Sequence, residues 1–171
     1  MQFLVVSDNH GDREILVEIV AHWQGKVDGF FHCGDSELPS SDPLWRNFNG
    51  FVSGNCDFDR GYLNEAVVKM GDETIFISHG HLTNVRVDLT TLLLKAQAAK
   101  ATIALFGHTH MIGCERHDGI LFLNPGSIAQ PRGPLAYHSY AIIEASGDNY
   151  QVQYYNRQHE VIPQLHFNFK R

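Results

Sequence analysis

No stretch of this 171-residue chain approaches the roughly 20 consecutive apolar residues that a membrane-spanning helix needs, and no block of lysine or arginine interrupts it. Lys and Arg together number 13 against 19 Asp and Glu, a formal net charge of −6. A surface built to grip long nucleic acid is therefore not expected. Cysteine is scarce: Cys33, Cys56 and Cys114 are an odd, scattered set. They suggest neither a disulfide framework nor a zinc finger, and a reducing compartment suits them. The first apolar run begins at Phe3 and stops at Ser7 without a basic leader, so no signal peptide and a cytoplasmic location are expected. Repeats, linkers and low-complexity tracts are missing too, which favours a single domain over residues 1–171.

What the chain has in quantity is histidine, 11 of them, and histidine is the commonest metal ligand. Their placement follows a pattern. Strand and helix signals alternate over the first two thirds. Residues 2–7 read as a buried strand. Residues 12–24 place Ile15, Leu16, Ile19, Val20 and Trp23 on one helical face, with Gly25 as a stop. Further strands are expected at 27–33, 50–55 and 102–107, a hairpin over 66–78, a short helix at 43–48 and a longer one at 87–100. The last third, with Asp118-Gly119 and Gly147-Asp148 between apolar runs, reads as antiparallel strands. So many strands predict two packed sheets with helices outside.

Five of these apolar runs end in chemistry-bearing residues: Asp8-Asn9-His10, Gly34-Asp35, Gly54-Asn55-Cys56-Asp57, His79-Gly80-His81 and Gly107-His108-Thr109-His110. Sites in α/β sheets form beyond the carboxyl ends of strands, and glycine lets the backbone turn sharply there. The two-residue spacing of Asp8/His10 and of His108/His110 would aim each pair to one side of an extended segment.

Taken in order, these motifs resemble those of the calcineurin-like metallophosphoesterases over about residues 1–135, and most of all the compact bacterial YfcE/YsnB-type phosphodiesterases. The resemblance implies a four-layer α/β/β/α sandwich of two mixed sheets flanked by helices, with two divalent metal cations at their edge. One would be held by Asp8, His10, Asp35 and His110, the other by Asp35, Asn55, His79 and His108. This N/O donor set suits Mn foremost, with Fe, Zn or Ni as alternatives. The implied reaction is phosphoester hydrolysis, most of all of a diester, by in-line attack of a hydroxide shared by two cations about 3.5–4 Å apart. Asn55, Cys56 and Asp57 are the candidate catalytic residues. Where many relatives have a histidine after the Asn, this chain has Cys56, a weak hydrogen-bond donor. Asp57 would either orient a ligand or cap a loop. His81 competes with His79, which ends its strand directly and matches the motif. Gly126, Ser127 and Arg132 are candidates to border the phosphate, with a solvated loop arginine as the favoured reading of Arg132. His22, His32, His117, His138, His159 and His166 are expected to have no role.

The expected partner is a small phosphoester, with no membrane. Tyr154, Tyr155, Phe167 and Phe169 are a candidate homo-oligomer interface, with core packing as the competing explanation. Two other functions compete: a binding scaffold with a vestigial metal site, as in a retromer subunit of the same fold, and a small nuclease.

Overall fold

The computed structural model describes residues 1–171. Strand β1 (Gln2–Val6) alternates its side chains between two apolar layers. Phe3 and Val5 enter the space between the sheets, while Leu4 and Val6 face helix α1 (Arg13–Trp23). That double burial explains why β1 is apolar at consecutive positions rather than alternating with polar residues.

The remaining strands are β2 (Gly29–His32), β3 (Gly50–Phe51), β4 (Glu65–Met70), β5 (Glu73–Ser78), β6 (Ile103–Leu105), β7 (Ile112–His117), β8 (Ile120–Pro125), β9 (Ser139–Ser146), β10 (Asn149–Asn156) and β11 (Val161–Lys170). One sheet has the order β11-β10-β9-β1-β2-β3 and the other β4-β5-β6-β8-β7. Both are mixed: β1–β2–β3 and β5–β6–β8 pair in parallel, the outer pairs antiparallel. Their inner faces share one apolar core, from Phe3 and Phe31 to Ile75, Leu105 and Leu123. Helix α1 covers the six-stranded sheet with Ile15, Leu16, Ile19 and Val20. Helix α2 (Thr90–Ala98) covers the five-stranded sheet with Leu92 and Ala96. The order of layers is α/β/β/α, as expected.

Three elements differ from expectation. The strand expected at 50–55 ends at Phe51, because Ser53 leaves the sheet to bond the Leu63 carbonyl. Helix α2 starts at Thr90 rather than Val87, where the Asp88 carboxylate accepts the Thr90 amide. Strand β11 was not anticipated. It forms an outer edge, and its register against β10 shifts over the segment that contains Pro163, the sort of position where a sheet tolerates proline. Of the two readings of the C-terminal aromatic residues, core packing describes what is seen. Tyr154 is wholly buried, and Phe167 and Phe169 pack partly buried against the core between the sheets. Tyr155 stacks on Tyr140 at 5.5 Å.

Candidate metal centre

The carboxyl ends of β1, β2, β5 and β6, with the loop after β3, lead to one edge of the sandwich. A hollow of about 250 Å³ there is lined by His10, Asp35, Asn55, Cys56, His108 and His110, with Arg86, Gln130 and Arg132 at its margin. Asp8 and His79 lie beneath, wholly buried.

The two-residue spacings do not operate as extended segments. Asp8, His10, Asp35, His108 and His110 all lie past their strands with φ between 43° and 66°. This left-handed conformation costs a residue with a Cβ roughly 1–2 kcal/mol. Strain of this kind concentrates where a site requires it. Two glycines make the convergence possible. A Cβ on Gly54 would lie 2.0 Å from Asp35 Oδ1, and one on Gly107 would lie 2.6 Å from Asp8 Oδ2.

Hydrogen bonding fixes the ring tautomers. His79 Nδ1 lies 2.7 Å from the Cys33 carbonyl and His110 Nδ1 2.7 Å from the Gln130 carbonyl. A carbonyl only accepts, so both nitrogens carry the proton. His10 Nδ1 donates likewise to Glu37 Oε1 at 2.7 Å. In the neutral rings each Nε2 is then a lone pair, and these lone pairs face other acceptors. His10 Nε2 and His110 Nε2 are 3.1 Å apart. His110 Nε2 is 3.1 Å from Asp8 Oδ1, a buried oxygen with no hydrogen-bond donor. His79 Nε2 is 3.3 Å from Asp35 Oδ2 and 3.2 Å from Asn55 Oδ1. Acceptors crowded against acceptors in a buried place call for a cation among them. Atoms of Asp8, His10, Asp35 and His110 lie mutually within 4.8 Å, so the donor set fits a metal ion there. His108 stands beside His79, ring centres 5.2 Å apart.

The electrostatics agree. Burial alone would depress His79, but the hydrogen bond and charge of Asp35 and the charge of Asp8 outweigh it and raise its pKa. Burial would likewise raise Asp35, yet His79 and the Cys56 amide hold it below the ordinary carboxylate range. With no metal, the hollow attracts a proton in its place. His108, on the rim, is pushed down to about 4 by burial and by the nearby charges of His79 and Arg86.

The other expected residues sort themselves by contact. Cys56 lines the hollow; its amide donates to Asp35 Oδ1 at 2.7 Å, and burial and Asp35 push its thiol up to about 11. Asp57 takes the loop-capping alternative: its carboxylate accepts from the amides of Ser36, Glu37 and Gly54 and from the Ser36 hydroxyl. No side chain of the candidate ligands touches it. His81 stands behind His79, ring centres 5.3 Å apart, with Nδ1 unpartnered. Arg132 borders the hollow, but Gly126 and Ser127 do not. Ser127 is wholly buried, donates to the Asp8 carbonyl at 2.8 Å and accepts the Gln130 amide at 2.7 Å.

Several contributors went unnoticed in the sequence. Arg86 lines the hollow along with Arg132. Glu37 orients His10. His32 is wholly buried and braces two loops, donating to Asn9 Oδ1 at 2.9 Å and accepting the Gly34 amide at 3.1 Å.

Comparison with known proteins accords with this geometry. The chain is 36% identical over 157 residues to the probable metallophosphoesterase YsnB of Bacillus subtilis (strain 168), covering 92% of each. A predicted phosphoesterase of Streptococcus pneumoniae TIGR4, solved by crystallography, superposes with a TM-score of 0.96 at 41% identity, covering 99% of this chain and 97% of the other. The phosphoesterase Yfce of E. coli shares the fold at a TM-score of 0.63 and 19% identity, covering 99% of each chain. Residues 1–148 match the calcineurin-like phosphoesterase superfamily domain, and the chain belongs to that superfamily.

Proposed function

We propose that this protein is a phosphodiesterase that works with two divalent cations. The reading is carried by the lone pairs of His10, His110 and His79, which converge on Asp8, Asp35 and Asn55 with no donor between them. Asp8, His10, Asp35 and His110 would hold one cation; Asp35, Asn55, His79 and His108 the other. Imidazole, carboxylate and amide donors suit Mn, Fe, Zn or Ni. When bound, such a pair supplies a water acidic enough to attack phosphorus near neutral pH, and positive charge to offset that of the phosphate.

The chain's own residues do the rest. Glu37, Gln130 and Cys33 orient the three imidazoles through Nδ1, so that in each neutral ring the Nε2 lone pair is the one aimed inward. Arg86 and Arg132 at the margin would receive the non-bridging oxygens of the ester. The Cys56 side chain faces the hollow beside Asn55, placed to meet the leaving oxygen. The preference for a diester rests on room: the hollow shares Arg86 and Arg132 with a larger, mostly apolar cavity. The bare phosphate of a monoester makes no use of that space.

The test is elemental analysis of the purified protein, then turnover of p-nitrophenyl phosphate and bis(p-nitrophenyl) phosphate with Mn²⁺ and with chelator. Metal-dependent turnover of the diester above the monoester is expected, with both metal content and rate lost in Asp35→Asn. A metal-loaded protein that turns over neither ester would overturn the reading.

A further inference from the structure

Arg86 and Arg132 line two spaces at once. One is the hollow over the candidate ligands; the other is a cavity of about 400 Å³ whose apolar wall comes from Val85, Leu89, Phe106, Met111 and Ile112. The segment 108–110 divides them. His108 and His110 line the first space, and Thr109 the second. Neither guanidinium takes part in any ion pair of the chain, so both are available to an anion lying across the divide.

Apart from the two arginines at the divide, the Asn124 amide and the Gly113 carbonyl of the cavity wall are already engaged. Asn124 Nδ2 donates to the Gly107 carbonyl at 2.9 Å and to Thr109 Oγ1 at 3.0 Å, while its Oδ1 accepts the Gly126 amide at 3.0 Å. The Gly113 carbonyl accepts the Tyr154 hydroxyl at 3.1 Å. The edge of a nucleobase, which needs donors and acceptors opposite it, would lose its water there and gain little in return. A hydrocarbon or phenyl arm needs only apolar surface and space.

We propose that this cavity receives one ester arm of the substrate, and that the substrate is a phosphodiester with an apolar arm rather than a nucleoside. The phosphate lies over the candidate ligands between Arg86 and Arg132, and the arm passes Thr109 into the cavity. This rests on the phosphodiesterase reading above. Leu89 and Met111, both in the wall of the cavity, set the specificity.

The test uses the metal-loaded full chain and three diesters with a common nitrophenolate leaving group: methyl, phenyl and thymidine 5′ p-nitrophenyl phosphate. KM for the phenyl ester should lie about tenfold below that for the methyl ester, the scale expected for burying a ring, with the thymidine ester no better than methyl. Leu89 is the N-cap of α2, makes no side-chain capping bond and packs partly buried against the core beneath the helix, so Leu89→Asn makes the wall polar at some cost in packing while placing a favoured residue at the cap. Met111→Gln alters an exposed rim residue. Each should remove the phenyl advantage and leave kcat on the methyl ester unchanged. Equal KM for phenyl and methyl, an advantage that survives both variants, or tighter binding of the thymidine ester would overturn the subsite while leaving the phosphodiesterase reading intact. No turnover of any of the three would sink that reading, and the subsite with it.

Discussion

At the scale of single residues, Cys56 is the informative one. It sits on the wall of the hollow next to Asn55, whose amide nitrogen lies 3.2 Å from its sulfur. Phosphodiester cleavage leaves an alkoxide or phenoxide, and the more basic that oxygen, the more the reaction depends on a proton reaching it. A thiol is a weak hydrogen-bond donor compared with an imidazolium. The protein should therefore favour acidic leaving groups such as nitrophenolate over simple alkoxides. Cys56→His should raise the rate on an ester with an alkyl leaving group by about tenfold, while changing nitrophenolate release by less than a factor of two or three. Rates on a leaving-group series, measured for both proteins at equal metal content, check this. An unchanged alkyl rate would assign Cys56 to filling the wall.

At the scale of elements, the question is what keeps five residues of three loops in left-handed conformations over the same hollow. Part of the answer is a set of polar ties beneath it. Asp57 ties the loop after β3 to the loop after β2, and Ser127 ties the loop after β8 to Asp8. His32 joins the ends of β1 and β2 through Asn9 and Gly34, between the rings of Trp45 and Phe48. His32 accepts on one ring nitrogen and donates on the other, so it must be neutral. Burial pushes its pKa down to about 4, against the pull of Asp57 and Asp8. The sign of the pH effect follows. Between pH 6.5 and 4 the unfolded chain binds a proton at this position that the folded chain does not, so stability falls as pH falls through that window. Urea midpoints in chelator should drop from pH 7 to pH 5, and His32→Gln, with no titrating group, should show a smaller drop. An identical drop in both proteins would remove His32 as the cause.

These ties also mark where the sequence ceased to be legible. Apolar runs closed by Asp, His, Asn and Gly reveal themselves locally, so the strand ends and their convergence at one sheet edge were readable, as were both helices and both sheets. Asn9, His32, Glu37 and Arg86 carry no local signature. Each acquires a role from a residue 23 to 27 positions away or from the far side of the hollow. Ser127 follows the same logic in reverse: a candidate to border the phosphate, it is wholly buried and its hydroxyl donates to the Asp8 carbonyl. Strand β11 was hidden by Pro163, which breaks the pattern that a strand would otherwise show.

At the scale of the whole molecule, the two sheets meet through more than apolar contact. Glu73, at the start of β5 in one sheet and only 3% exposed, accepts from Tyr150 of β10 in the other sheet at 2.7 Å. It also accepts from the Thr102 hydroxyl and pairs with the Arg171 guanidinium, each at 2.5 Å. A buried carboxylate is costly unless its charge is matched, and Arg171 supplies the match while lying over the Tyr150 ring, 5.3 Å from its centre. Removing one partner of such a pair costs more than the pair itself contributes, because the other charge is left buried. Arg171 keeps about a quarter of its side chain in solvent, which limits the loss, so Arg171→Ala should cost about 2 kcal/mol in urea unfolding. The clamp draws on none of the candidate ligands, so metal content and diester turnover at 25 °C should stay unchanged in the same variant. Adding Glu73→Gln to Arg171→Ala should recover part of the loss, since the unmatched charge goes with it. If the double variant is no more stable than the single one, the cost lies in the packing of Arg171 on Tyr150 and not in the charge of Glu73.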